Sequence, residues 1–198
     1  MEHCETAVQK AMRWREAGIP EGYSISSLLY NQAAEVLIVE ARSKDALLCE
    51  RLLFRHIRAA KYELIGSPEV DVSFNSPATC EKHPLLVFNS MKRRRHPDGS
   101  HWGADWSGLY VFNLSNKELI LCAAEGSFLI PAPYDDRGWI AQILSLSDDA
   151  RHAYVKVGLG KRREEGEKKI VKMDYHLARL DLRTKELELV THLKNTWF

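Results

Sequence analysis

The chain has 198 residues, 45% of them hydrophobic, which suffices for a buried core and argues against a disordered polypeptide. Its 28 Lys and Arg against 27 Asp and Glu leave a formal charge of +1. No global field draws nucleic acid or an anionic membrane, so a polyanion contact has to come from a local patch.

At the start of the chain, MEHCETAVQKAMRWREAG carries acidic residues and no apolar run, unlike a secretion signal or transit peptide. Ala7, Val8, Ala11 and Met12 recur at helical spacing with Thr6 as N-cap and Gly18 and Pro20 as the stop, which predicts a short amphipathic helix over Thr6 to Ala17. No later segment approaches the roughly 20 apolar residues that cross a bilayer. Cys4, Cys49, Cys80 and Cys122 are widely separated and form no CxxC pair, which suits free thiols in a reducing, cytoplasmic setting.

After Gly22 the apolar pattern switches to period two, the signature of strands. A first group is predicted at Ser24 to Asn31, Val36 to Arg42, Leu47 to Ile57 and Lys61 to Ile65. A second follows at Val70 to Asn75, Pro84 to Met91, Leu109 to Leu114 and Glu118 to Ala123. The third group is Trp139 to Ser147, His152 to Leu159, Ile170 to Leu182 and Glu186 to Leu193.

The last two strands of each group share one phrase. It reads RHIRAAKYELI from Arg55 to Ile65, FNLSNKELILC from Phe112 to Cys122 and LDLRTKELELV from Leu180 to Val190, with turn residues 57 and then 68 positions apart. That is the mark of a structural repeat. The expected fold is therefore all-β: three four-stranded antiparallel units over 24–66, 70–125 and 139–193, forming one domain over 23–198 behind an N-terminal helix and linker over 1–22.

The run LSLSDDARHAYVKVG, followed by YHLARLDLRTKELELV, resembles the WD-like β-propeller repeat of TolB and of the N-terminal propellers of prolyl oligopeptidases. There the first strand ends in Ser-Pro-Asp-Gly and a later phrase reads aliphatic-Asp-Leu-x-Thr-Gly. This chain has Ser147, Asp148, Asp149 and Ala150 at the first and Asp181, Leu182, Arg183, Thr184 and Lys185 at the second, so the Pro and both Gly positions are replaced. The resemblance implies three propeller blades, half of a six-bladed ring, over roughly residues 24 to 193. Propellers close with about 4 to 8 blades, so three leave apolar faces and strand edges open. A homodimer completing a six-bladed ring is the expected solution; a longer chain, or the N-terminal helix acting as a cap, would also cover the open faces.

For function, the segment Lys92 to Gly108, KRRRHPDGSHWGADWSG, reads as a connector longer than a hairpin needs. Arg94, Arg95, His96, Asp98, His101, Trp102, Asp105 and Trp106 are the candidate binding residues, since indole gives rigid contact area and guanidinium pairs with carboxylate or phosphate. His96, Asp98, His101 and Asp105, with Cys80 and His83 upstream, have metal-ligand atom types but match no established ligand spacing, so no metal or other cofactor is assigned. The run Lys161 to Lys169 alternates sign and reads as an exposed hairpin end. Tyr134 and Arg137, in the Pro-rich linker Pro131 to Gly138, are expected to face a central channel. No G-x-S-x-G elbow occurs, so the hydrolase half that accompanies propellers in prolyl oligopeptidases is not encoded here, and no catalytic residue is assigned.

The expected function is a non-catalytic binding or scaffolding protein, its partner a protein or small ligand and not nucleic acid. The alternative is a propeller-type lyase or hydrolase acting on a sugar or small anion, with His96, His101 and Asp98 in acid, base or ligand roles.

Overall fold

The computed structural model describes residues 19, 22–43, 51–65, 72–95, 101–123, 130–134, 136–165 and 168–193. Twelve strands run in chain order: β1 Tyr23–Asn31, β2 Val36–Ser43, β3 Arg51–His56, β4 Glu63–Leu64, β5 Val72–Thr79, β6 Leu85–Arg95, β7 His101–Asn113, β8 Leu119–Ala123, β9 Asp136–Leu146, β10 His152–Glu165, β11 Lys168–Asp181 and β12 Leu187–Leu193. They form three antiparallel meanders, β1-β2-β3-β4, β5-β6-β7-β8 and β9-β10-β11-β12. The described chain is all-β in three four-stranded sheets, as the sequence pattern predicts. The helix expected over Thr6 to Ala17 lies outside the described residues. Among the described residues no helix is long and apolar enough to cross a membrane.

The repeated phrase builds one hydrogen-bonded frame. In the second sheet Asn113 N–H donates to Glu118 O at 2.9 Å, and Lys117 N–H donates back to Asn113 O at 2.8 Å. The third sheet repeats this with Asp181 N–H to Glu186 O at 3.0 Å and Lys185 N–H to Asp181 O at 2.9 Å. The side chain at the first position caps the turn: Asn113 Oδ1 accepts from Ser115 N–H at 2.9 Å, and Asp181 Oδ1 from Arg183 and Thr184 N–H at 2.8 and 2.9 Å. In the first sheet His56 takes that position, where an imidazole does not supply the short carboxamide or carboxylate cap. One bond survives in all three sheets. The next residue donates across to the start of the second strand, Ile57 N–H to Glu35 O, Leu114 N–H to Pro84 O and Leu182 N–H to Arg151 O, at 2.8 to 2.9 Å.

That common bond fixes equivalent positions, and the alternation of strand side chains then places the core. Val36 and Ile38 of β2 pack with Leu86 and Phe88 of β6 in one cluster. The other face of β6 contributes Val87 to a larger cluster with Ala153, Val155 and Val157 of β10. The second sheet is thus sandwiched between the first and third, each sheet presenting the same parity of residues to the next. The first strands approach one another, with β5 lying against both β1 and β9. Two apolar interfaces, rather than one central core, hold the molecule together.

Candidate functional site

The segment Lys92 to Gly108 is largely strand, which corrects its reading as a connector. β7 begins at His101 rather than Leu109, and Met91, Lys92, Arg93 and Arg95 pair with Trp106, Asp105, Ala104 and His101. Sequence reasoning was misled by the turn-formers here. The structure absorbs them in register shifts, one of which skips Ser107 next to Gly108 at φ 117°. Among the described residues β5 pairs with β6 as far as Lys92, and β8 meets β7 as far as Leu109. Among these residues the ladder therefore runs on as a two-stranded arm. Arg94 and Arg95 lie on its β6 side, and His101, Trp102, Asp105 and Trp106 on its β7 side. His96 and Asp98 lie outside the described residues.

β10 and β11 do the same. Their pairing continues from Lys161 opposite Lys172 to Glu165 opposite Lys168, beyond the last β9 partner, Asp136. Both arms are second-to-third-strand hairpins, so they leave the same end of adjacent sheets. In sequence, each is basic. Lys92, Arg93, Arg94 and Arg95 stand against Asp98 and Asp105 in one, and Lys161, Arg162, Arg163, Lys168, Lys169 and Lys172 against Glu164, Glu165 and Glu167 in the other.

A second constellation, which sequence reasoning missed, lies between the second and third sheets. Tyr134, in a turn closed by its N–H to Pro131 O at 3.1 Å, joins the larger core cluster and shares a 2.6 Å hydrogen bond with His176 Nε2. That placement sets Tyr134 against the third sheet. His176 sits opposite His192 across the β11–β12 ladder, their ring centroids 4.9 Å apart, and His192 Nε2 lies 4.0 Å from Asp174 Oδ1. Burial lowers the His176 pKa, helped by neighbouring His192 and opposed by Asp174, so the imidazole is held neutral. Burial and the Asp174 carboxylate both push the Tyr134 phenol up. No local signal reveals this group, because His176 and His192 are 16 residues apart and meet only through register.

A cleft of about 680 Å³ opens at the outer edge of the third sheet, lined among others by Ile130, Pro131, Arg151, Arg179, Asp181, Glu186 and Glu188. Two ion pairs lie in its lining: Arg151 Nε donates to Asp181 Oδ2 at 2.8 Å, and Arg179 pairs with Glu188 at 2.5 Å. The Asp181 carboxyl is held well below the usual carboxylate range, chiefly by the Thr184 N–H, with Arg183 N–H and Arg151 adding to it. Glu186 of the same lining accepts from Thr184 Oγ1 at 3.3 Å. Among the described residues no group of three His, Cys, Asp or Glu comes together to hold a metal ion. Of Cys80 and His83, considered as ligands, the Cys80 thiol approaches Ser147 O at 3.5 Å.

Compared with known proteins, the chain matches no family model, and no curated protein matches it in sequence.

Proposed function

We propose that this is a non-catalytic binding or scaffolding protein built on propeller-type blades like those of TolB, which presents its two arms to a protein partner. One observation carries the reading: adjacent sheets extend their second-to-third-strand ladders from the same end, past every neighbouring strand pairing among the described residues. Trp102, Trp106 and an arginine run occupy one of these arms in sequence. Tryptophan and arginine are the residues that most often dominate binding at interfaces, and arginine favours a partner rich in carboxylates. A reducing compartment such as the cytoplasm suits Cys80 and Cys122, which are both buried and unpaired.

The test is co-purification with the wild-type protein and with a Trp102→Ala/Trp106→Ala variant, both checked for equal thermal stability. A partner held by the first and lost by the second supports the reading, and identical retention by both overturns it. The second reading, a lyase or hydrolase acting on a sugar or small anion, is favoured by the group of Tyr134, His176, His192 and Asp174. Stoichiometric Mn, Ca or Zn in the purified protein would move the conclusion to that reading.

A further inference from the structure

The two contacts between sheets are one contact used twice. At the end of the first strand, Asn31 Nδ2 donates to Cys80 O at 2.8 Å, and Cys80 in turn approaches Ser147 O at 3.5 Å. Nine residues after each turn begins, Ile65 shares a cluster with Leu114, and Cys122 Sγ reaches Leu182 O at 3.0 Å. Carried forward one step, the series places Val190 against the position of Ile57. Those two residues lie at opposite ends of the stack, and both are bare. Ile65 and Cys122 are 1% and 7% exposed but Val190 is 55%, while Leu114 is 0% exposed and Ile57 is 51%. Leu28 and Tyr30, 50% and 45% exposed, extend the apolar surface on the outward face of the first sheet.

We infer that a second copy of this chain supplies the missing neighbour, the outward face of its first sheet at Ile57 seating on the outward face of the third sheet at Val190. A twofold axis repeats the contact and closes six sheets. The inference rests on the propeller-type reading of the stack, and continuity with the two internal contacts fixes the occupant. Ile19 and Tyr23 pack on the Val39, Leu53 and Tyr62 cluster of the first sheet, so the contact falls on the end carrying Leu28, Tyr30 and Ile57. Packing by Ile19 is no obstacle to a neighbouring sheet, since Ile130 and Tyr134 pack on the third sheet in the same cluster that joins it to the second.

Its chemistry differs from that of the internal contacts. Where the first and second sheets offer Val36 and Ile38, or Leu85 and Val87, the third offers His152 and Tyr154, and Arg179 stands where they have Phe54 and Val111. A mixed polar and apolar face suits two folded copies that meet and part.

Light scattering across a concentration series tests this. The wild-type mass is expected to rise towards twice 22.7 kDa. Val190→Asp and Ile57→Asp, both at exposed positions and each verified as folded by its unfolding midpoint, are each expected to weaken association at least tenfold. Mixing the two variants is expected to recover part of it, because the mixed pair keeps one wild-type contact of the two. A wild-type protein that stays monomeric overturns closure. Dimers indifferent to both substitutions, or no recovery on mixing, overturn this contact. The Trp102→Ala/Trp106→Ala variant is expected to associate as the wild type does, so failure of the arm reading and failure of closure read out separately.

Discussion

The interface between the first and second sheets is locked by a buried amide, whereas the one between the second and third relies on a larger apolar cluster. Asn31, 0% exposed, donates to Thr79 Oγ1, Cys80 O and His83 O at 2.7 to 2.8 Å and accepts from Ala34 N–H at 2.8 Å. Phe54 and Phe112 pack beside the same cluster at 5.4 Å. In the second interface Cys80 takes the place of Asn31, and a thiol is a weak donor. A polar tie reappears at a different place, where Asn89 Nδ2 donates to Ile140 O at 2.7 Å while its buried Oδ1 has no protein partner. Equivalent positions can thus hold the stack by directional bonds or by apolar area. The bonded version is the more brittle, because losing its donor strands the buried Cys80 carbonyl.

The largest expected effect follows from that asymmetry. Asn31→Ala takes from the buried Cys80 carbonyl its donor on the first sheet and breaks three further side-chain bonds, and is expected to cost about 3 kcal/mol in urea unfolding. Cys80→Ala, at the equivalent position, is expected to cost about 1 kcal/mol, mostly lost packing. Equal costs would break the comparison, since they would mean that the amide and the thiol do the same job.

The two capped turns sharpen it further, because they share a frame and differ in charge. Asn113 caps without titrating, whereas Asp181 carries a carboxylate whose pKa the folded chain depresses. A depressed carboxylate contributes stability above the unfolded value of about 4, and that contribution is lost as pH falls towards the folded value. Asp181→Asn keeps the cap, as Asn113 demonstrates, and loses the Arg151 pair. Wild type is expected to be the more stable at neutral pH, with the gap in melting temperature narrowing below about pH 4. Parallel curves would show that the charge contributes nothing beyond the cap.

How much of this was legible in the sequence divides along the same line. The meanders were legible because alternation and turn chemistry are local, and the three copies of one phrase marked equivalent turns before any pairing was known. The arms were not, since Gly103, Ser107 and Gly108 read as breakers where a bulged ladder accommodates them. The interface polar groups were hidden for a different reason: Asn31, Asn89 and His176 meet partners 42 to 52 residues away, and only register and sheet order bring them together.

A smaller, pH-confined effect should belong to the second interface alone. His176 has a lowered pKa, so the folded state resists its protonation. Where the unfolded chain binds the extra proton, stability rises with pH, so the fold should weaken as pH falls through about 6.5 and level off below the folded value. His176→Phe is expected to flatten that segment of a melting-temperature profile while leaving the response below pH 4, set by Asp181, in place. A slope that survives the substitution would assign the proton to another group.

The smallest effect concerns three turn residues held in the left-handed backbone region. Ala150 and Lys185 adopt φ of 54° and 65°, and Lys117, the partner of Lys185 in the second sheet, adopts 62°. A left-handed backbone costs a side-chain-bearing residue roughly 1 kcal/mol, part of which glycine returns as extra entropy in the unfolded chain. Ala150→Gly and Lys185→Gly are each expected to stabilise by about 0.5 kcal/mol and to add in the double variant, the turns being distinct. Lys117→Gly is expected to gain less, because Lys117 Nζ also binds Glu63 of the first sheet at 2.6 Å, an ion pair between two half-exposed side chains that the substitution removes. If Lys117→Gly stabilised as much as Lys185→Gly, that ion pair would contribute nothing to the first interface, and the buried amide of Asn31 would carry its polar share alone.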